Sequence, residues 1–261
     1  MTADGAAQTR STAEPAPLGR VVARLDELLD PGAFDDLGPN GLQVPGPRPV
    51  TRVVTGVTAQ RALIERAVAE EAELVLVHHG LFWRFDPPGL TPRLAERLRP
   101  LFRHDIALAA YHLPLDAHPE VGNNALLAEA LGASRHAPFA AIGRGAAFDD
   151  PVPIGDLIGR VTRVCAREPL VFDAGPPAVR RLAIVSGGAA SRLDAAVAEG
   201  YDAFLTGEPK EHVMADAREA GIHFIAAGHY ATETFGVRRL GDLLAAELGI
   251  EHVWVDLPNP V

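Results

Sequence analysis

The chain has a single cysteine, Cys165, among 261 residues. That excludes an internal disulfide framework and a thiolate cage around zinc. No stretch approaches the ~20 consecutive apolar residues of a membrane-spanning helix. The opening stretch, 1–18, is rich in Ala, Thr, Ser and Pro and lacks the apolar core of a secretory signal peptide, so it reads as a disordered tail. Basic residues are in the minority, 24 Lys and Arg against 34 Asp and Glu, for a net charge of −10. This balance disfavours nucleic acid as a partner, because phosphate backbones are held by clustered Lys and Arg. The remaining class is a soluble, cytoplasmic globular protein with no membrane partner, and its 48% apolar and 22% charged residues suit that class.

Apolar runs and helical spacings alternate along most of the chain. Strands are expected at Arg52 to Val57, Leu74 to Val77, Ile106 to Tyr111, Arg181 to Val185, Ala203 to Thr206, Ile222 to Ala227 and His252 to Val255. Between them lie helical patterns at Ala59 to Glu71, Pro92 to Phe102, Asn123 to Leu131, Ala189 to Glu199, Pro209 to Ala220 and Thr232 to Leu248. Strands alternating with helices predict an α/β architecture with mainly parallel pairing. The expected organisation is a first α/β domain over 19–132, a connecting segment over 133–178 and a second α/β domain over 179–261. The last elements of the second are free to pack with the first. Pro and Gly recur in the connecting segment, where only Ile154 to Val164 has an amphipathic helical pattern.

The halves resemble each other. Val54-Thr55-Gly56, a helix with Ala67-Val68-Ala69-Glu70, and Leu74 to His79 are echoed by Val185-Ser186-Gly187, Ala196-Val197-Ala198-Glu199 and Ala203 to Glu208. The similarity suggests an internal duplication that places His79 opposite Glu208, although any two strand-helix-strand units look somewhat alike. Duplication favours a site between the halves.

Potential metal ligands follow three of the apolar runs. His78 and His79 close the first, Asp116 follows the second, and His229 and Glu233 follow the third, four residues apart. Sites in open α/β sheets form beyond the carboxyl ends of strands. Imidazole and carboxylate suit divalent transition metals, and five such groups exceed the needs of one tetrahedral zinc. Each residue also has a plainer role available. Adjacent histidines on a continuing strand point to opposite faces, so both reach one site only if the backbone turns there. Asp116 suits a turn, Glu233 suits the first turn of a helix, and Asn123 or Thr232 suits a helix cap. His112 is a candidate ligand, orienting partner or general acid/base, and Glu208 is placed to reach the same crevice. Ser186-Gly187-Gly188 offers backbone N–H groups to an anion, as a weak signal. His118 has a weaker claim, and His104, His136, His212, His223 and His252 follow no partner pattern.

Several stretches together resemble a known family. They are Pro39-Asn40-Gly41-Leu42-Gln43-Val44, His78-His79-Gly80, Tyr111 to Pro119, Gly122-Asn123-Asn124, Thr206-Gly207-Glu208 and Ala227 to Glu233. In this order they resemble the Nif-three-like dinuclear metal-centre hexameric proteins, widely labelled GTP cyclohydrolase type 2 homologues, in their short bacterial form. The resemblance implies two similar α/β domains with two divalent metal ions per chain between them. It implies ligand roles for His78, His79, Asp116, His229 and Glu233, and a toroidal homo-hexamer with the sites facing its interior. Iron, zinc, manganese, nickel and cobalt all fit these donors. The function expected is a metal-dependent hydrolase acting on a nucleotide or other phosphorylated small molecule, with His112 and Glu208 as catalytic proton carriers. The alternative is a non-catalytic metal-binding scaffold or regulatory protein.

Overall fold

The computed structural model describes residues 14–261. The expected tail lies mostly outside them. Of its described part, Ala16 already pairs with Val50, and a helix begins at Leu18. Among the described residues there are eleven strands: β1 (Gly41–Val44), β2 (Arg52–Thr58), β3 (Leu74–His79), β4 (Ala107–Ala110), β5 (Arg135–Phe139), β6 (Gly143–Pro153), β7 (Leu170–Phe172), β8 (Ala178–Val185), β9 (Ala203–Thr206), β10 (His223–Ala226) and β11 (Glu251–Trp254).

They form two sheets. The first has the order β1-β4-β3-β2-β11 and is parallel except for β1. Its central strands are apolar on both faces, as parallel strands covered by helices must be. On one face Val53, Val57, Leu74, Leu76, Ala107 and Ala109 pack with helices Leu18–Leu29 and Thr234–Leu248. On the other, Val54, Val75, Val77 and Leu108 pack with helices Arg61–Ala69 and Pro92–Arg103. Each fully buried Val or Leu contributes about 1.5–3 kcal/mol. The helix Pro92–Arg103 starts where its residue types favour it. Pro92 occupies the first turn, and the Thr91 hydroxyl accepts the Leu94 N–H at 3.2 Å.

The second sheet has the order β5-β6-β8-β9-β10-β7. Only β8, β9 and β10 are parallel, while β5, β6 and β7 run antiparallel to their neighbours. Those three antiparallel strands all come from 133–178, so the stretch expected to connect the halves supplies sheet edges. Proline obscured them. Pro138 lies on the edge strand β5, and Pro151 lies beside the register shift between Ala147 and Val152. Edges and bulges are where a strand tolerates proline. The helix Ile154–Val164 forms as its pattern predicts and buries Leu157 and Val161 against this sheet.

The chain crosses between the sheets twice. Helix Asn123–Ala130 leads from the first to the second. After β10 a short helix, His229–Thr232, is followed directly by Thr234–Leu248, which returns to the first sheet and places β11 beside β2. Glu233 is the single residue between those helices. No helix among the described residues is long and apolar enough to cross a membrane.

Candidate metal centre

The carboxyl ends of β3, β4, β9 and β10 converge between the two sheets. The strand β3 does not stop at Val77 but pairs through His79, which lies opposite Thr58. The two imidazoles nevertheless reach one site, lying side by side with ring centroids 4.7 Å apart. Both Nε2 atoms face Glu233. Its Oε1 lies 3.6 Å from His78 Nε2, and its Oε2 lies 3.2 Å from His79 Nε2. His229 Nε2 approaches Glu233 Oε1 at 3.2 Å.

Every histidine here is anchored through Nδ1. His78 Nδ1 donates to the Tyr111 carbonyl at 2.9 Å, and His112 Nδ1 donates to Asp36 Oδ1 at 2.7 Å. His229 Nδ1 donates to Glu208, and His79 Nδ1 hydrogen-bonds the Thr58 hydroxyl at 3.1 Å. Partners of this kind fix the ring and tautomer of metal-binding histidines. For His78, His79 and His229 they leave Nε2 facing Glu233.

Asp116 sits in a short helix, Leu113–Ala117, rather than a loop. Its Oδ1 accepts from Asn123 Nδ2 at 2.8 Å and Ser186 Oγ at 3.0 Å, while Oδ2 faces His78 Nε2 at 3.6 Å. Asn123 is therefore not a cap. Its own Oδ1 accepts the Gly236 N–H at 2.8 Å, tying Asp116 to the helix that follows Glu233. Thr232 does not cap that helix either, because its hydroxyl accepts the Gly187 N–H at 3.0 Å and donates to Gly228 O at 2.9 Å. The Ser186 N–H goes to Asn124 Oδ1 at 2.7 Å. These two N–H groups of Ser186-Gly187-Gly188 are thus committed inside the protein, which removes them as an anion cradle. Gly187 acts differently. At φ +64° it lies so close to Glu233 that a Cβ would fall 2.3 Å from Oε1.

Among the described residues three buried side-chain polar atoms lack any hydrogen bond; one is Arg52 Nε, and the other two, His78 Nε2 and Glu233 Oε2, lie in this centre. Orphaned polar atoms cost about 1–3 kcal/mol each and mark a place where something else binds. A divalent cation fits the donors around them. His78, Asp116 and Glu233 form one group whose ligating atoms lie within 4.8 Å of one another, and His79, His229 and Glu233 form another. Glu233 belongs to both. His78, His79 and His112 make a third such group.

Electrostatics without a cation follow from the same packing. Burial alone would lower His78, but the charges of Asp116 and Glu233 outweigh it and hold the imidazole up at about 9. His229 is likewise at about 9, with Glu233 and Glu208 overcoming its burial. Burial dominates at His79 and pulls it down to about 3. Burial pushes Asp116 up. Glu233 is buried too, yet His79, His78 and His229 hold it well below the usual carboxylate range.

The centre opens through His79 and His229, 17% and 30% exposed, whereas His78 is sealed. They line a cavity of about 320 Å³ with Glu208 and Arg97. His79 and Glu208, matched between the two halves by sequence, therefore share one wall. The edge of Trp83 packs on His112, with ring centroids 5.1 Å apart at 90°. Other histidines lie elsewhere. His118 accepts the Val121 N–H at 3.1 Å, His223 holds Pro176 O at 2.7 Å, and His252 pairs with Asp242 at 2.9 Å. Asp36 went unnoticed in the sequence. It is 76 residues from His112, and no local pattern links them.

The sequence profile of the Duf34/NIF3 (NGG1p interacting factor 3) family matches residues 16–260. The chain belongs to this family. Its NIF3 relatives include the GTP cyclohydrolase 1 type 2 homolog of Pseudomonas aeruginosa, 46% identical over 248 residues, covering 93% of this chain and 98% of the relative. The homolog of the same name in Escherichia coli K12 is 43% identical, covering 90% and 96%. Among solved structures, a protein titled ybgI, of unknown function, superposes with a TM-score of 0.90 at 41% identity, covering 94% of this chain and 100% of that one. A second solved structure, TTHA1606 from Thermus thermophilus, follows at 0.88 and 38% identity, covering 93% and 99%. The expected α/β fold of the NIF3 family is thus borne out.

Proposed function

We propose that this NIF3-family chain is a metal-dependent hydrolase that binds two divalent cations and acts on a nucleotide or other phosphorylated small molecule. What supports this most is Glu233, a buried carboxylate with one oxygen that makes no hydrogen bond and with membership of two separate donor groups. His78, Asp116 and Glu233 would hold one cation, and His79, His229 and Glu233 the other. Such a pair supplies Lewis-acid activation of water and offsets charge developing on a phosphoryl oxygen. The donors include no thiolate, which suits iron, zinc, manganese, nickel or cobalt.

The chain's own groups supply the rest. His112, 18% exposed and backed by Asp36, is placed to carry a proton at the rim of the centre. Glu208 holds the His229 ring and, at 37% exposed, is the second proton carrier at the mouth. Access through His79 and His229 favours catalysis over a purely structural role, since structural metal sites are closed. The name carried by the relatives suggests ring opening of a guanine nucleotide as the narrower reaction. The assembly expected with it is a homo-hexamer with the sites turned inward.

Elemental analysis and hydrolysis assays on the unmodified protein and Glu233→Gln test this together. About two ions per chain, lost in the variant along with hydrolysis of phosphoesters or nucleotides, is the expected result. Hydrolysis by metal-free protein would overturn the mechanism. Full metal content with no hydrolysis of any such substrate would favour the scaffold.

A further inference from the structure

Seven arginines among the described residues are at least partly buried. Six of them donate to a carboxylate or a backbone carbonyl: Arg24, Arg48, Arg52, Arg144, Arg160 and Arg167. Arg97 is the exception. No hydrogen bond or ion pair from the described residues reaches its guanidinium. Burial and the like charge of Arg93 both work against it, and Asp86 offsets them only through space. A guanidinium carries five N–H donors and cannot shed its charge. Holding one half-buried and unpaired suits a residue kept for a bound anion.

Its position agrees. Arg97 lines the 320 Å³ cavity that contains His79, His229 and Glu208. It also lines a neighbouring cavity of about 470 Å³, walled by Trp83, Phe85, Asp86, Pro87 and Leu90. Trp83 and Phe85 are stacked there, with centroids 5.6 Å apart and planes 12° apart. Phe85 is 71% exposed, so it is not a core residue. The order in space is metal centre, cation, aromatic surface.

The geometry points to Arg97 as the anion-binding residue of this site, taking the phosphate of a phosphate monoester whose flat aromatic body lies along Trp83 and Phe85. That the adjoining centre is hydrolytic comes from the proposed function, whereas the binding subsite rests on Arg97 and the two cavities. A phosphate at Arg97 stands at the mouth of the metal cavity. The aromatic surface recognises the body by stacking, which accepts any base-like ring.

Calorimetric titration with ribose 5-phosphate and adenosine 5′-monophosphate tests this on metal-loaded and chelator-stripped protein, with metal content measured in each sample. The unmodified protein should bind the nucleotide about tenfold or more tighter than the sugar phosphate. Arg97→Gln should weaken both by about tenfold or more, and Arg97→Lys should recover part of that, with metal content unchanged. Phe85→Ala should remove the advantage of the nucleotide and leave ribose 5-phosphate as it was. Undiminished binding in Arg97→Gln, a nucleotide advantage that survives Phe85→Ala, or no binding of either ligand to unmodified protein would overturn the proposal. Binding that depends on Arg97 in loaded protein that hydrolyses nothing would overturn the hydrolase reading alone.

Discussion

Replacing Gly187 with alanine should empty the metal centre without touching a ligand. Two costs follow from the structure. The backbone there is left-handed, at φ +64°, which costs an alanine about 1–2 kcal/mol. The new methyl would also stand 2.3 Å from Glu233 Oε1 and 3.2 Å from His229 Nε2. Ordinary contact is about 3.5 Å, so the carboxylate must retreat by roughly 1 Å. Ligand distances in a working metal site hold to about 0.2 Å, so neither donor group that shares Glu233 survives such a shift. Gly188→Ala is the control, because its Cβ would meet nothing closer than 3.8 Å. The assay is metal content after reconstitution and dialysis, with thermal unfolding of metal-free samples. Gly187→Ala should lose most bound metal and about 1–3 kcal/mol of stability, roughly 2–10 °C in Tm. Gly188→Ala should keep its metal and unfold within about 0.5 kcal/mol of the unmodified protein. Unchanged metal affinity in Gly187→Ala would refute the reasoning, as would equal loss in both variants.

Three further outcomes are expected. His78 and His229, both held at about 9, carry protons in cation-free protein at about pH 7.5, so metal loading should release roughly two protons per chain. Titrations in buffers of different ionisation enthalpy measure this, and release of none would show that the cation binds elsewhere. Asp36 is held well below the usual carboxylate range, because donation from His112, Asn40 and Leu113 outweighs its burial. The unfolded chain therefore takes up this proton first, so the stability it adds is complete above about pH 4–5 and is lost as the pH falls further. Asp36→Asn should cost about 1–3 kcal/mol at about pH 7. Its deficit in denaturant titrations should narrow below about pH 4, and a deficit independent of pH would contradict this. Burial pushes the Cys165 thiol up to about 12, so a disulfide reagent at about pH 8 should label it only after unfolding. Rapid labelling of native protein would show that the thiol is accessible.

The sequence was most legible where one element is enough to form the pattern. β9 and the helix Ile154–Val164 lie where periodicity predicts them. The candidate ligands were read as chemical types at strand ends, and the structure brings those five residues near one another. What was not legible depends on distant partners. Nothing near Asn123 announces that it bridges Asp116 to Gly236, 113 residues on. Gly187 looked like part of an anion loop because its neighbours are small, but its spacing to Glu233 exists only after folding. The strands of 133–178 were missed because their prolines lie at an edge and a bulge, where the pairing tolerates them.

The return of the chain to its first sheet has a consequence for biosynthesis. Arg52 and Glu251 face each other across β2 and β11, 199 residues apart. While the ribosome is still making the second half, the first sheet lacks both an edge strand and one of the two helices that cover one face. Glu233 lies on that late segment, so a nascent chain has three facing imidazoles and no shared carboxylate. On the proposed reading, the two donor groups that share Glu233 are complete only in a nearly finished polypeptide. A cation bound there would clasp both ends of a loop whose closure is slow and entropically costly. Metal supply would thereby report on completion of the chain, and truncated products would be left both open and unloaded.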